Sequence, residues 1–404
     1  MIQQIIHRLL QRRHFWRYAT FSEVAELYAS RLMRMIALNI TASFISIFLF
    51  QSGYSIATIT LIWLGYFIYK GLIALPAAKY AARFGPKHGM LLSGLLYIPS
   101  MILLPLVPQV GLPIMIIALA FQGLSATMYS LCFMVDFSKV KSLEHAGKEI
   151  AFMNIIEKVT KGISPLLGGL LAFMAGPEAT MWAAAILFAF SSVPLFKTGE
   201  PIETHQRLVF RGFPWKIAYR SLIAQGGVGF DFATSGTLWT LFIVVAILGL
   251  DGDDVYVKLG ALLSVVILSA LASSYLFGRV IDRRRGGDLL KWGVFANSIT
   301  HIMRAFTTTP VGVAGLNIAN ETVTTGYNMA FVRGMFDTAD ISGHRVTYLG
   351  CMEIMMNVGA ALAAIAAFCL VSFLGDIEGL KWLFFIAAGF TLLTATAKFR
   401  LYQK

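Results

Sequence analysis

The chain has 404 residues, of which 57% are hydrophobic and only 13% charged, with a formal net charge of +12. Soluble proteins carry roughly a quarter charged residues, so this composition excludes an ordinary water-soluble globule and identifies an integral membrane protein. The positive balance would point to nucleic acid in a soluble domain. Here it is accounted for by basic residues that collect in loops on one side of a bilayer, and no nucleic-acid partner is expected.

The first segment, "MIQQIIHRLLQRRHFWRYATF", places Ile2, Ile5, Ile6, Leu9 and Leu10 at helical spacing among His7, Arg8, Arg12 and Arg13. A cleaved signal peptide needs a longer uninterrupted apolar centre. Two readings remain, an amphipathic helix lying on the membrane surface or a basic tail.

A transmembrane helix needs roughly 20 mainly apolar residues. Such runs occupy about 30–50, 57–80, 89–107, 112–135, 149–174, 179–196, 220–248, 257–278, 289–307, 311–332, 346–374 and 380–397, most of them separated by loops of a few residues. The alternating short strands of a β-barrel are missing from the pattern, so the expected fold is all-α. Gly71, Pro76, Pro99, Pro105, Gly162, Pro165, Gly168 and Gly169 fall inside the runs, which membrane helices tolerate when neighbours satisfy the freed backbone.

Lys and Arg set the orientation. One set of connections holds Arg83 with Lys87, Lys139 with Lys141, Lys197, Arg207, Arg211, Lys216, Arg279, Arg283 to Arg285, Arg333 with Arg345, and Lys398 with Arg400. The opposite set, "QSGYS", "VPQVG", "LDGDD" and "TTTPVG", holds almost none. Both termini are therefore expected in the cytoplasm, and short loops without an exposed glycosylation sequon favour a prokaryotic cytoplasmic (inner) membrane. Cys132, Cys351 and Cys369 lie scattered inside spans, too dispersed for a metal site or a disulfide framework; no cofactor is expected.

The chain repeats itself. "AFMNIIEKVTKGISPLLGG" in the fifth span and "TYLGCMEIMMNVGAALAA" in the eleventh superpose without a gap, matching Phe152 to Tyr348 and Glu157 to Glu353. After the second and eighth spans, "AAKYAARFGPKHG" faces "FGRVIDRRRGG". Here the chain resembles the major facilitator superfamily, whose signature at this place is Gly-x-x-x-Asp-Arg-x-Gly-Arg-Arg. Gly278, Asp282, Arg283 and Arg285 fit it; the first half keeps Arg83, Gly85 and Lys87 but has Ala78 and Ala82 in place of Gly and Asp. The resemblance implies twelve transmembrane helices in two pseudo-symmetric six-helix bundles, over 22–196 and 220–404, with a cytoplasmic segment at 1–21 and a linker at 197–219. It also implies a cytoplasmic latch, carried over to Arg83, Asp136, Asp282, Arg283 and Asp337. Read as ordinary interfacial charges instead, these residues contribute about 0–1 kcal/mol per exposed pair.

Charges inside the spans are the main functional signal. With a rise of 1.5 Å per residue, Glu157 lies roughly 14 Å deep in a core of about 30 Å, and Glu353, Asp231, Glu321 and Lys70 come out at similar depths. Facing lipid, each would cost about 2.5–3.5 kcal/mol, so all point inward. Asn154, Glu157, Lys158 and Lys161 follow i, i+3, i+4, i+7 and share one helix face. Asn317 and Glu321 form a similar stripe on the tenth span. In the family, spans four, five, ten and eleven line the central cavity, which makes Asn154, Lys158, Lys161, Asn317, Glu321, Tyr129 and Tyr327 the expected substrate-binding residues. The competing reading is structural: Glu157 and Lys161 are spaced to neutralise each other as an i,i+4 pair, which leaves Lys158 without a local partner. His301 and Arg304 occupy the ninth span, which the family places at the periphery, and a lone His there reads as a satisfied core residue rather than a proton carrier.

A secondary active transporter working by alternating access follows, with the two bundles rocking about a midplane site. The solute is expected to be small, polar and anionic or amphoteric. Protons are the expected coupling ion, with Glu157, Glu353 and Asp231 as carriers and Lys70 pairing with Glu353 in one conformation only. Efflux of amphipathic drugs or lipid flipping is the alternative. No metal cluster, nucleophile elbow or other catalytic signature is present in the sequence, so no enzyme activity is expected. The partners are the solute, protons and the bilayer, and the chain is expected to act as a monomer.

Overall fold

A computed structural model describes residues 21–42, 44–140, 146–191, 193–196, 208–249, 255–282 and 285–403. The expected surface helix or tail at the N-terminus falls outside them. Among the described residues the chain is helical throughout and folds into twelve rods. In the first half these are α1 (Phe21–Thr41, resumed as Ile45–Gln51), α2 (Ile56–Phe84), α3 (Pro86–Leu103, continued to Val110), α4 (Leu112–Val140), α5 (Ala146–Ala175) and α6 (Pro177–Ser191). The second half has α7 (Trp215–Ala233, continued to Leu248), α8 (Val255–Ser264 and Ile267–Asp282), α9 (Gly286–Ala305), α10 (Pro310–Ile341), α11 (Arg345–Leu374) and α12 (Asp376–Thr391).

The rods end where the sequence forces them to. Gly85 takes φ +90° between α2 and α3, a conformation that a Cβ would disfavour, and Pro86 then opens α3, where its missing N–H costs nothing. Thr309 caps α10 by accepting from the Gly312 N–H at 3.2 Å, with Pro310 following. Such tight turns leave consecutive helices antiparallel.

Eight of the rods are long and apolar enough to cross a membrane by composition alone, namely α1 to α4, α7, α8, α11 and α12. Helix α6 is short at 15 residues, while α5, α9 and α10 are more polar along their length. Outside the bundle, Leu72, Leu268, Val311 and Phe373 stand more than two-thirds exposed, as a lipid-facing belt requires.

Two seams join the halves. Helix α2 lies along α11, and α5 lies along both segments of α8. The seams and their neighbours close on small residues, as membrane helices do in the absence of a hydrophobic drive between them. A Cβ on Gly169 would sit 2.5 Å from the Tyr256 carbonyl oxygen, and one on Gly260 would sit 2.5 Å from that of Pro165. At the crossing of α7 with α11, a Cβ on Gly229 would come within 1.9 Å of the Met356 carbonyl oxygen.

Apolar contacts join the two bundles toward both ends. Where α1 begins, the rings of Phe137 on α4 and Phe336 on α10 meet at 5.5 Å. Toward the opposite end, Phe44 of α1 packs edge-on against Tyr256 of α8 at 5.5 Å, and the Tyr256 hydroxyl donates to Gln51 Oε1. Each contact lies among buried residues from both bundles. The charged side chains lie between them.

Gly229→Ala should lower the melting temperature of the purified protein, in line with the roughly 1–3 kcal/mol cost of overpacking. Gly315→Ala, on α10 with nothing within 4 Å of its Cβ position, should leave the melting temperature unchanged or raise it.

Candidate functional site

Helix α5 presents its polar face to the interior, and each charge on it meets a charge. Glu157 accepts from Lys161 Nζ at 2.7 Å one turn ahead, and from Arg31 Nη2 of α1 at 3.2 Å. Lys158 turns the other way and forms an ion pair with Glu321 of α10, across the boundary between bundles. The i,i+4 pair is thus present, and Lys158 finds its partner on a helix 163 positions along the chain. Thr325 Oγ1 donates to Glu321 Oε1 at 3.2 Å. Asn154 is half-buried on the same face of α5.

A second cross-bundle contact lies on the other seam. Lys70 Nζ of α2 is 4.0 Å from Glu353 Oε1 of α11. Glu353 also accepts from Ser130 Oγ of α4 at 2.9 Å and from Asn357 Nδ2 at 3.1 Å. Glu157 and Glu353 therefore occupy corresponding helices yet hold different partners: Glu157 bonds within its own bundle, Glu353 across to the other.

The third cluster is internal to the second bundle. Asp231 of α7 bonds His301 Nε2 of α9 at 2.8 Å and accepts from the Tyr327 hydroxyl of α10. Arg304 Nη1 donates to Ser235 Oγ at 2.8 Å and faces His301 Nδ1 at 3.1 Å. A guanidinium has no acceptor, so Nδ1 accepts, Nε2 carries the proton, and His301 is neutral. The negative charge of Asp231 is then balanced by Arg304 through two short polar links. Directly after Asp231, α7 widens into π-helical turns at Thr234–Leu238 and Ile243–Leu248, a feature frequent at functional sites. His301 is buried with both ring nitrogens engaged, as its sequence position implied, and Arg304 is buried with Nη1 engaged and Nε without a hydrogen-bond partner among the described residues; both belong to the Asp231 cluster rather than to the periphery.

The remaining expected site residues fall into quieter places. Asn317 accepts from Trp239 Nε1 at 2.8 Å and donates to the Leu262 carbonyl at 3.1 Å, which locks α7, α8 and α10 together. Tyr129 is buried and carries the Arg34 guanidinium 4.0 Å above its ring. At the end where α1 begins, Arg83 is exposed beside the Phe84 ring, Asp136 is buried on α4 and Asp337 is half-buried on α10. Asp282 closes α8. Arg283 lies outside the described residues.

Sequence reasoning did not single out Arg31, Arg34 or Ser130. The signal was there for the arginines: "SRLMRMIALNI" puts two cations three residues apart at the head of an apolar run, a spacing that shares a face. Ser130 carries no such signal.

The sequence profile of the Major Facilitator Superfamily matches residues 27–339. The chain belongs to that superfamily. No curated protein sequence matches it, so its relatives are found by fold. The human organic anion transporter MFSD10 (TETRAN) superposes with a TM-score of 0.70 at 12% identity, covering 95% of this chain and 99% of that one. The Escherichia coli fucose:proton symporter FucP gives 0.66 at 13%, with coverages of 93% and 98%. A bacterial homologue of the iron transporter ferroportin, in an outward-facing state, gives 0.68 at 16%, with 92% and 97%. At these identities the likeness is one of fold. With the family match it establishes a multi-pass membrane transporter of twelve helices in two bundles, and members of the superfamily are transporters rather than enzymes.

The Lys158–Glu321 pair has a measurable consequence. Lys158→Met alone leaves a carboxylate without its cation and should cost about 3–5 kcal/mol of stability. Lys158→Met combined with Glu321→Gln should recover most of that loss in thermal unfolding. Additive losses would show that the two side chains do not interact.

Proposed function

We propose that this protein is a proton-coupled secondary transporter for a small polar solute, anionic or amphoteric, working by alternating access. One observation carries the reading. Within the spans, the described side chains of the three clusters and of Arg34 comprise four carboxylates (Glu157, Asp231, Glu321, Glu353) against six cations (Arg31, Arg34, Lys70, Lys158, Lys161, Arg304). The excess of two positive charges in a low-dielectric layer favours an anion there. Lys161, with 43% of its side chain exposed, is the most open of these groups, and together with Lys158 and Asn154 it supplies the recognition surface. Tyr129, Asn317, Glu321 and Tyr327 complete the proposed lining. Transport of organic anions by the similarly folded MFSD10 agrees with this sign of charge.

Coupling follows from where the pairs sit. Lys70–Glu353 and Lys158–Glu321 both bridge the two bundles, so rocking pulls each carboxylate away from its lysine. A buried carboxylate that loses its cation is costly, and taking up a proton removes that cost. Glu353 is assigned as a carrier on this ground. Glu157 joins it because an incoming anion competes for Lys161 and Arg31, and Asp231 because a neutral histidine and a tyrosine link it to Arg304. Proton symport by the similarly folded FucP supports this choice of ion. Lys70 acts as a gate within the membrane, with Arg83, Asp136, Asp282, Arg283 and Asp337 as the latch at the end that the loop charges assign to the cytoplasm. The chain works as a monomer in an inner membrane.

Uptake of organic anions into proteoliposomes tests this. An imposed proton gradient should accelerate uptake, Lys161→Ala should reduce it at least tenfold, and Glu157→Gln with Glu353→Gln should remove the gradient dependence. Uptake that responds to the gradient equally in the double variant would refute the coupling. Transport confined to apolar amines or lipids and indifferent to Lys161 would refute the anion reading.

A further inference from the structure

Helix α1 holds two arginines whose donors are only partly used. Arg34 is 2% exposed, and its one side-chain hydrogen bond among the described residues is from Nη2 to Ser125 Oγ at 3.1 Å. Its Nε and Nη1, and the Nε of Arg31, are buried without a hydrogen-bond partner among the described residues. Both guanidinium groups sit over aromatic faces of α4, Arg34 at 4.0 Å from the Tyr129 ring and Arg31 at 3.9 Å from the Phe133 ring, and those two rings stack on each other at 5.8 Å. Face contact holds a guanidinium in place while its in-plane N–H edge stays available. Other aromatic rings, Phe188 at 5.1 Å and Tyr97 at 5.7 Å, complete the surroundings of Arg34.

Exposure falls steadily inward, from 43% for the Lys161 side chain through 26% for Glu157 and 11% for Arg31 to the buried Arg34. Glu157 bridges the two outer cations with its two oxygens, one on Lys161 and one on Arg31. It thus occupies the position that an external carboxylate would take. Arg34, behind it, has a hydroxyl and aromatic faces but no carboxylate, an expensive state for a buried charge.

We infer that the transported solute bears two acidic groups, one held by Lys158 and Lys161 and the other by Arg31 and Arg34, with Glu157 as the internal anion that the solute displaces. This rests on the anion reading proposed above and narrows it to a dianion, a dicarboxylate or a phosphate monoester. Two negative charges match the excess of two cations among the described side chains of the three clusters and Arg34. The planar fork of arginine suits either group through paired hydrogen bonds.

The experiment is a thermal-shift titration of the purified full-length protein with three- to six-carbon dicarboxylates, their monoamides, glycerol 3-phosphate and glycerol. A dianion should bind at least tenfold more tightly than its monoanionic or neutral counterpart, and the dicarboxylate and phosphate arms tell which class is taken. Arg34→Gln should abolish that preference while leaving the ligand-free melting temperature unchanged or higher, because it removes a buried, incompletely matched charge. Arg31→Gln reads the same donor pair from its other member and should also abolish the preference. Equal binding of dianion and monoamide, a preference that survives both variants, or a lower ligand-free melting temperature in Arg34→Gln would overturn the inference. If monoanions bind through Lys161 with no dianion preference, the anion reading stands and only this inference falls. Absence of binding by every anion overturns both.

Discussion

A charge inside a bilayer must be matched, and that single constraint organises the centre of this protein. Each unmatched ion costs several kcal/mol, against a typical net stability of about 5–15 kcal/mol for a whole domain. The chain meets the constraint by pairing across helices: α1 with α5 at Arg31 and Glu157, α5 with α10 at Lys158 and Glu321, α2 with α11 at Lys70 and Glu353. Of the helices that bring these partners together, α5 and α10 are not among those long and apolar enough to cross a membrane by composition alone. Insertion and packing of those helices therefore depend on contacts that exist only in the assembled bundle.

The two cross-bundle pairs have the same polarity. In each, the first bundle supplies lysine and the second glutamate. The halves thus attract each other at mid-depth through both pairs, while apolar contacts such as Phe137–Phe336 and Phe44–Tyr256 join them toward the ends. Ionic contacts weaken steeply once water enters, whereas close contacts at small residues, such as Gly169 against Tyr256 and Gly260 against Pro165, depend only on shape. Helix α5 carries both kinds of contact, with glycines against α8 toward one end and the Lys158 pair with α10 toward the middle.

The fold was legible because its signal is local. Apolar runs, loop charges and the Gly278 to Arg285 signature each read along a few residues, and the runs match the twelve rods to within several positions. Glycines at seams were visible as residues but not as contacts. The site was legible only where its residues share a helix: Glu157 and Lys161 are four apart, and their pair follows from helical geometry. The partner of Lys158 comes from α10 and the roof of Asp231 from α9, separations no periodicity encodes. The same limit hid Arg31 and Arg34. In a linear reading a cation at the head of a span looks like an interfacial charge, and only the packing of α1 against α4 and α5 carries it into the protein.

The two halves are alike in plan and unlike in charge, and the unlikeness bears on direction of force. Arg34 on α1 and Asp231 on α7 sit at comparable places in their bundles, each surrounded by aromatic or hydroxyl groups from the third and fourth helices of its half. The acid in the second bundle has a histidine, a tyrosine and, one link away, an arginine. The arginine in the first bundle has a hydroxyl, aromatic faces and a second arginine beside it, but no carboxylate in contact among the described residues. A symmetric device would bind its solute equally to both halves and have no reason to close. Here the first bundle carries the surplus of positive charge and the second the matched network. Under the anion reading proposed above, a solute entering the middle would be drawn to one wall, would compete for the present partners of Glu157 and Lys158, and would so change the attraction that holds the halves together at the depth where it sits.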